Sequence, residues 1–312
     1  MQLIRGLHNI RPAHQGCVAT IGNFDGVHCG HRAILQSLRA RACQQNTRTC
    51  VITFEPLPRE HFHQDSAPAR LTTLREKLFL LEQCQVDQVL CLPFDHRLST
   101  ISADDFVTNI LVKGLNVRYL IVGDDFRFGY GRRGSFQHLV KRGQQYGFAV
   151  SDTETVTQAS ERISSTRIRQ ALDRSALTEA NQLLGHPLIM MGKVRRGQRL
   201  GRQLGFPTAN ICAGRHNLPV KGVYVARVYH GGRWHGAVAN LGTRPTVSSN
   251  KPWLEVHLLD FTGDLYGQLL RVEFIEKLRD EKKFESLPAL RAAIAGDALN
   301  ARRLINHSFC AD

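Results

Sequence analysis

The sequence lacks the features that mark secreted, membrane-spanning and zinc-binding proteins. No run approaches the roughly 18 apolar residues that a membrane-spanning helix needs. The N-terminal residues 1–8 contain no apolar stretch of the kind found in a secretory signal. The eight cysteines are scattered and form no C-x-x-C pair. We therefore expect reduced thiols in a cytoplasmic protein rather than disulfides or zinc sites.

Aromatic residues are also few, at 7%, and dispersed, whereas the formal net charge of +14 is large. A surface that follows a nucleic-acid strand would carry clustered basic and aromatic residues. Here the basic residues are spread along the chain, and the densest groups, Arg132-Arg133 and Lys193–Arg196, lie beside glycine-rich loops. Small phosphorylated ligands fit this pattern at least as well as RNA does. A basic RNA-binding protein is the rival interpretation.

The length of 312 residues predicts two domains. In the first half, apolar runs alternate with amphipathic segments, which predicts an α/β domain whose parallel sheet has helices on both faces. Such sheets bind ligands beyond the carboxyl ends of their strands. The predicted strands are 17–21, 49–54, 86–92, 119–122 and 148–151, and the predicted helices are 32–45, 71–83, 102–112, 135–146 and 167–172.

A strand, a tight turn and a helix are predicted around Gly22–His31. The first strand ends at Gly22, and Gly26 and Gly30 allow the backbone to approach a ligand closely. Unpaired N–H groups at the start of a helix attract phosphate. His28 and His31 stand at that place, where imidazoles can stabilise the charge of a phosphoryl or nucleotidyl transfer. The alternative is that both histidines are ordinary surface residues of a helix cap.

The segment 163–169 is a second phosphate-binding candidate. Ser165, Thr166 and Arg169 bring hydroxyl groups and a guanidinium group to a predicted helix start, where they can hold phosphate oxygens. A plain N-cap with solvated arginines would have the same pattern. The loops 22–31, 55–59 and 123–129 each follow a predicted strand, so we expect them at the ligand-binding edge of the sheet.

The alternation stops near Leu184–Pro187, where we place the boundary between domains 1–184 and 185–312. Short strands then follow one another, separated by turns that contain glycine and proline. This pattern predicts a small antiparallel β-barrel with a closing helix, which has Ser286 as its N-cap and Pro288 in its first turn. The predicted strands are 188–195, 223–229, 233–239, 254–260 and 269–275.

A glycine-rich stretch joins the first two strands of this barrel. It could wrap a triphosphate through its N–H groups, although it is not a Walker loop, because no Gly-Lys-Ser/Thr follows. The glycines are Gly192, Gly197, Gly201 and Gly205. Thr208 and Asn210 offer oxygen ligands that suit Mg²⁺ held together with ATP phosphates. A glycine-rich hairpin with an Asx turn is the alternative.

Glu255 is the candidate catalytic residue of the second half. Leu254, Val256 and Leu258 share one face of a predicted strand, which leaves Glu255 and His257 on the other face. A carboxylate there can accept a proton from an attacking hydroxyl group. A solvated strand face would show the same pattern.

The motifs of the first half resemble the nucleotidylyltransferase superfamily, and more closely the FMN adenylyltransferase module of bacterial bifunctional riboflavin kinase/FAD synthetases. The residues that carry the resemblance are Asn23–His31, Thr53–Pro56, Gly123–Gly129 and Ile163–Arg169. It implies a Rossmann-like domain that adenylylates FMN, with the two histidines and Ser165, Thr166 and Arg169 around the ATP phosphates. Asn23, Asp125 and Phe128 would contact FMN or adenine. The separate roles of Asp124 and Asp125 stay open.

The second half resembles riboflavin kinase. The motifs are Gly197–Asn210, Gly222–Tyr224, Asn240–Pro245 and Leu254–Phe261. The resemblance implies that Thr208 and Asn210 bind Mg²⁺ and that Glu255 is the general base. The chain is then expected to make FMN and then FAD, with ATP as co-substrate in both steps. The expected partners are riboflavin, FMN, FAD and ATP, without nucleic acid or membrane and with at most weak homo-oligomerisation. In a further alternative, only one of the two modules is active.

Overall fold

The computed structural model describes residues 1–63, 66–123, 125–153, 156–197, 200–215, 217–243 and 252–308. The chain divides into two compact units. The first unit comprises Met1–Pro68 and Lys77–Ser164, and the second comprises Ala69–Glu76 and Ser165–Asp312. The domain boundary that the sequence places after residue 184 stays a prediction.

The first unit is built on a parallel sheet of six strands, which confirms the predicted α/β fold. The strands are β1 (Gln2–Arg5), β2 (Val18–Ile21), β3 (Thr49–Glu55), β4 (Gln88–Pro93), β5 (Tyr119–Gly123) and β6 (Ala149–Thr153). They lie in the order β1-β4-β3-β2-β5-β6, and every pairing is parallel. Thr49 to Phe54 are all buried, so both faces of the sheet are covered at β3.

Helices connect these strands. They are α1 (Cys29–Gln44), α2 (Pro58–Phe62), α3 (Leu74–Gln83), α4 (His96–Ser99), α5 (Ala103–Phe106) and α6 (Phe136–Tyr146). A π-helical stretch, Val107–Val112, continues α5, and 3₁₀ turns cover Leu7–Asn9, Pro12–His14 and Tyr130–Arg132. A short hairpin of β7 (Thr157–Gln158) and β8 (Glu161–Arg162) completes the unit.

The second unit contains a closed antiparallel barrel, which confirms the second part of the predicted fold. Its strands are β9 (Leu188–Arg195), β10 (Ala209–Cys212), β11 (Gly222–His230), β12 (Arg233–Thr243), β13 (Pro252–Leu258) and β14 (Leu269–Arg279). They close in the order β10-β13-β12-β11-β14-β9. The helices of this unit are α7 (Ser165–Asp173), α8 (Leu177–Leu184), α9 (Leu200–Gln203) and α10 (Leu287–Ser308).

The closing helix α10 packs on the outside of the barrel. Its backbone N–H at Ala289 donates to Ser286 Oγ over 3.3 Å, so Ser286 is the N-cap that the sequence predicts. Ala298, Ala301 and Ile305 are buried in one apolar cluster with barrel valines such as Val225. The first turns of α10 are not part of this cluster and line a cleft instead.

The segment Ala69–Glu76 precedes most of α3 in sequence but packs within the second unit. Arg215 holds it there, because its Nη2 atom donates to Glu76 Oε2 over 2.5 Å and to the Leu71 carbonyl oxygen over 2.9 Å. Both side chains of this ion pair are almost completely buried, at 0% and 1% exposure. Each of the two groups therefore supplies the charge and the hydrogen bonds that the other would otherwise receive from water.

Two features of the described residues concern their cysteines and the character of their helices. The cysteines among the described residues form no disulfide with one another. No helix among the described residues has both the length and the apolar character that crossing a bilayer requires.

Candidate active sites

The loop between β2 and α1 follows a strained path toward the helix start. Phe24, Gly26 and Val27 all have left-handed backbone angles, with φ of 47°, 87° and 41°. Non-glycine residues adopt such angles only where their surroundings hold them. Helix α1 then begins at Cys29, three residues before its predicted start, because His28 acts as its N-cap.

His28 and His31 form a stacked pair at this helix start, as the sequence places them. Their ring centroids lie 3.7 Å apart with an interplanar angle of 19°. The backbone N–H of His31 donates to Nδ1 of His28 over 3.3 Å, which fixes the orientation of the His28 ring. The ring of Phe24 lies 4.8 Å from that of His31 and covers it. The two imidazoles thus form one preorganised group at the positive end of α1.

The electrostatics of this pair favour a neutral imidazole. Burial, followed by the nearby His28 and Lys77, lowers the pKa of His31 well below its usual value of 6.5. The buried Nδ1 atom of His31 has no hydrogen-bond partner among the described residues. A phosphate group bound here would reverse the effect, because a nearby negative charge favours the imidazolium form.

Gly22 and Gly30 stand where side chains would crowd this loop. A Cβ at Gly22 would lie 3.1 Å from the Phe24 ring, and a Cβ at Gly30 would lie 3.2 Å from the His28 ring. These distances are tighter than ordinary side-chain contacts. The glycines therefore leave room for the two rings that shape the site.

The backbone of Asn23 is hydrogen-bonded to a residue of β3. Its side chain is exposed, and its carbonyl oxygen accepts a hydrogen bond from Thr53 Oγ1 over 3.3 Å. Thr53 in turn accepts from Nζ of Lys77 over 3.3 Å, and both residues are buried, at 0% and 1% exposure. Sequence reasoning missed Lys77, because a lysine on an amphipathic helix is expected in solvent.

Asp125 and Phe128 have different environments. The exposed Asp125 forms a bidentate pair with Arg162, over 2.9 and 3.1 Å. Phe128 is buried in the apolar core and packs on Phe106 and Phe126 at centroid distances of 5.3 and 5.6 Å. Contact of either residue with a ligand stays a prediction. Asp124, named with Asp125 above, lies outside the described residues.

Ser165, Thr166 and Arg169 all belong to α7 in the second unit. Helix α7 begins at Ser165, so both hydroxyl groups lie in its first turn. Arg169 Nε donates to the carbonyl oxygen of Ala69 over 2.6 Å, which fixes part of its guanidinium group. Their role toward ATP phosphates stays a prediction.

The barrel carries a cleft of about 620 Å³ on its outer face. Thr208, Asn210 and Glu255 line it together with Gly201 and Asn240. Apolar residues in and next to α9 and α10 form another part of the wall, including Leu200, Leu204, Leu290 and Ile294. The structure therefore brings Gly201, Thr208, Asn210 and Glu255 into one cavity, whereas the other predicted glycines, Gly192, Gly197 and Gly205, are not among its lining residues.

Glu255 lies at the centre of a polar row. On β13 it stands opposite Asn210 of β10 on one side and opposite Asn240 of β12 on the other. Leu254 and Val256 point into the barrel and are completely buried, so Glu255 and His257 face the cleft as predicted. Nδ1 of His257 lies 2.9 Å from the Pro207 carbonyl oxygen, next to Thr208. The buried Oδ1 atom of Asn240 finds no partner among the described residues.

The four glycines of the linking stretch do not form one continuous loop. Gly192 lies within β9, where a Cβ would meet Ile211 at 2.5 Å. At Gly197, a Cβ would lie 2.7 Å from Nδ2 of the Asn210 side chain. Gly201 packs on the Phe206 carbonyl group within α9, and Gly205 follows that helix with a φ of 88°. The first three thus permit close packing around Asn210 and Thr208.

Charged residues also line the cleft. Arg279 forms a bidentate pair with the buried Asp297 of α10, with its shortest bond at 2.7 Å. The guanidinium group of Arg279 and the ammonium group of Lys282 lie 5.6 and 5.1 Å from the centroid of the Phe284 ring. Sequence reasoning missed these residues, because they carry no local motif.

Comparison with known proteins gives a family for each half of the chain. The FAD synthetase family matches residues 10–167, and the riboflavin kinase family matches residues 184–305. A bifunctional riboflavin kinase/FMN adenylyltransferase of Escherichia coli K12 is 52% identical over 304 residues, covering 97% of each chain. The chain belongs to the bifunctional riboflavin kinase/FMN adenylyltransferase family.

Other members of this family match over the same length. The bifunctional riboflavin kinase/FMN adenylyltransferase of Pseudomonas fluorescens is 51% identical, covering 97% of this chain and 98% of its own. That of Haemophilus influenzae is 45% identical, covering 98% and 100%. A crystal structure described as a macrolide-efflux protein from Streptococcus pneumoniae has a TM-score of 0.80 and 28% identity, covering 97% of this chain and 99% of its own.

Proposed function

We propose that the chain catalyses two consecutive transfers from ATP. In the barrel, the γ-phosphoryl group of ATP passes to riboflavin, giving FMN and ADP. In the first unit, the adenylyl group of a second ATP passes to FMN, giving FAD and pyrophosphate. The observation that supports this most is that one chain matches both families, FAD synthetase over residues 10–167 and riboflavin kinase over residues 184–305.

Glu255 is proposed as the general base of the kinase step. Its carboxylate accepts the proton of the terminal ribityl hydroxyl group as that oxygen attacks the γ-phosphorus, and the bond from this phosphorus to ADP breaks. Asn210 and Asn240 stand opposite Glu255 on the two neighbouring strands. The apolar walls of the cleft offer a surface for the flavin rings.

The donor set of the cleft fits Mg²⁺. Thr208 offers a hydroxyl oxygen, Asn210 an amide oxygen and Glu255 a carboxylate, and all line the same cleft. Hard oxygen ligands of this kind are the ones that Mg²⁺ prefers, together with substrate phosphates. We propose Thr208 and Asn210 as its protein ligands. When bound, the ion neutralises charge on the ATP phosphates.

The histidine pair is proposed to serve the adenylylation step. An oxygen of the FMN phosphate attacks the α-phosphorus of ATP, and the bond to pyrophosphate breaks. His28 and His31 stand at the start of α1, where their N–H groups and those of the helix can stabilise the added negative charge. By the family resemblance, Ser165, Thr166 and Arg169 bind the β- and γ-phosphates, and Asn23 and Asp125 contact FMN or adenine.

An aromatic group beside β3 and β4 is a candidate surface for the flavin of FMN. Phe62 is 59% exposed and lies 5.7 Å from Phe94, which also contacts His61 at 5.5 Å. Pro93 ends β4 immediately before Phe94, at the edge where parallel sheets bind ligands. An isoalloxazine ring could stack here, since exposed aromatic faces favour planar conjugated ligands.

A time course tests the proposed function. The protein is incubated with riboflavin, ATP and Mg²⁺, and the flavins are separated by chromatography. We expect FMN to appear first and FAD to follow. FMN without FAD would mean that only the barrel is active. Salt-sensitive RNA binding without any flavin turnover would support the RNA-binding interpretation instead.

A further inference from the structure

Lys77 is a buried cation that the steps above do not use. It is 1% exposed, and its Nζ atom donates to Thr53 Oγ1 over 3.3 Å. Burying an ammonium group is unfavourable unless its surroundings compensate it, and apolar replacements of buried charges are often neutral or stabilising. A buried lysine is therefore to be understood from what its ammonium group contacts.

The contacts of Lys77 lead to the loop that carries the histidines. A threonine hydroxyl has one proton, and Thr53 donates it to the carbonyl oxygen of Asn23 over 3.3 Å. Accepting from Lys77 therefore orders the hydroxyl for that bond. Nζ of Lys77, Oγ1 of Thr53 and the Asn23 carbonyl form a hydrogen-bonded chain, which we call the Lys77 relay.

The loop above this relay needs such support. Phe24 and Val27 hold left-handed angles that cost free energy unless neighbouring groups fix them. The relay fixes the residue immediately before Phe24, whose ring packs on His31. The positive charge of Lys77 also helps to lower the pKa of His31, after burial and His28.

We infer that Lys77 is a positioning residue for the adenylylation step. Through Thr53 and Asn23 it holds the loop 22–28 in the shape that places His28 and His31 for the phosphates of ATP. The inference rests on the proposed function, because it needs the first unit to be the site that makes FAD. It assigns Lys77 no direct contact with substrate.

Four variants test the inference: Lys77→Met, Lys77→Arg, Thr53→Val and, as a matched control, Lys141→Met, which changes an exposed lysine of α6 in the same unit. Each is assayed for kcat and KM in FAD formation from FMN and ATP, for FMN formation from riboflavin, and for Tm. If the wild type makes no FAD, the proposed function fails; the inference is judged only by the variants relative to an active wild type.

We expect Lys77→Met to lower kcat for FAD formation about 100-fold at a temperature well below its Tm, with FMN formation unaltered. Lys77→Arg should restore part of the loss, and Thr53→Val should lower kcat at least about 10-fold while keeping the cation. Lys141→Met should behave as the wild type. A lowered Tm with normal kcat in Lys77→Met would overturn the inference. If that variant does not fold, full FAD-forming activity in Thr53→Val overturns it.

Discussion

Arg215→Met is the substitution whose effect on stability the structure defines best. Arg215 is buried against Glu76, and its other hydrogen bonds go to the carbonyl oxygens of Arg70, Leu71 and Ala213. Methionine would fill the volume but leave the Glu76 carboxylate in the interior without its cation. Breaking one side of a buried ion pair costs about 3–5 kcal/mol.

Two remaining donors place the expected loss toward the lower end of this range. The backbone N–H of Thr73 donates to Glu76 over 2.6 Å, and that of Met191 donates over 2.8 Å. Hydrogen bonds to a carboxylate continue to stabilise its charge after the arginine is gone. We therefore expect Arg215→Met to lower the free energy of unfolding of the second unit by about 3 kcal/mol.

Urea unfolding followed by tryptophan fluorescence measures this loss in the correct unit. The sequence has two tryptophans, Trp234 and Trp253, and both lie in the barrel. Arg174→Met is the matched control, because its pair with Glu179 is exposed, at 62% and 37%. Such pairs contribute about 0–1 kcal/mol.

A double variant isolates the charge itself. Adding Glu76→Gln to Arg215→Met removes the uncompensated carboxylate, so the double variant should be more stable than Arg215→Met alone. If Arg215→Met costs no more than the Arg174→Met control, the buried pair does not hold Ala69–Glu76 in the second unit. The physical account of that segment would then be wrong.

Two further predictions concern the sites. Gly201→Ala places a methyl group against the Phe206 carbonyl, beside Thr208, so the rate of FMN formation should fall about 10–100-fold while FAD formation from FMN is kept. Gly296→Ala is the control: its added Cβ would meet open space, so both rates should stay unchanged. Because the pKa of His31 in the folded protein lies well below 6.5, its imidazole should be neutral at pH 6.5 in an NMR titration. As the pH falls below 6.5, the unfolded chain binds this proton before the folded protein does, so the free energy of unfolding should decrease until the pH reaches the folded pKa. A His31 resonance already titrating near pH 6.5 in the free protein would contradict this electrostatic account.

Periodicity predicted the architecture because long, buried elements carry strong patterns. The apolar run of β3 and the alternation in β13, where every second residue is buried, are examples. The same patterns placed Glu255 on the open face of its strand. They missed β1, a four-residue strand, and β10, which lies within a glycine-rich stretch. Ile4 is the one buried residue of β1, and the polar Asn210 interrupts the apolar run of β10, so neither strand shows a clear pattern.

The buried and charged residues that the sequence did not reveal are brought together by contacts between positions far apart in the chain. Arg215 and Glu76 are 139 residues apart, and Arg279 and Asp297 join a strand to a helix. Lys77 is a polar residue in a position that only tertiary packing buries. Local motifs found the histidine pair and the Thr208–Asn210 segment, because there the chemistry and the turn lie in consecutive residues.

The central claim is that one chain holds two separable sites. The most direct test follows flavins by chromatography after riboflavin, ATP and Mg²⁺ are added to His31→Ala, to Glu255→Gln, and to an equal mixture of both. We expect His31→Ala to accumulate FMN, Glu255→Gln to convert only supplied FMN to FAD, and the mixture to make FAD from riboflavin. Loss of both activities in either folded variant, or a mixture that stops at FMN, would contradict the claim.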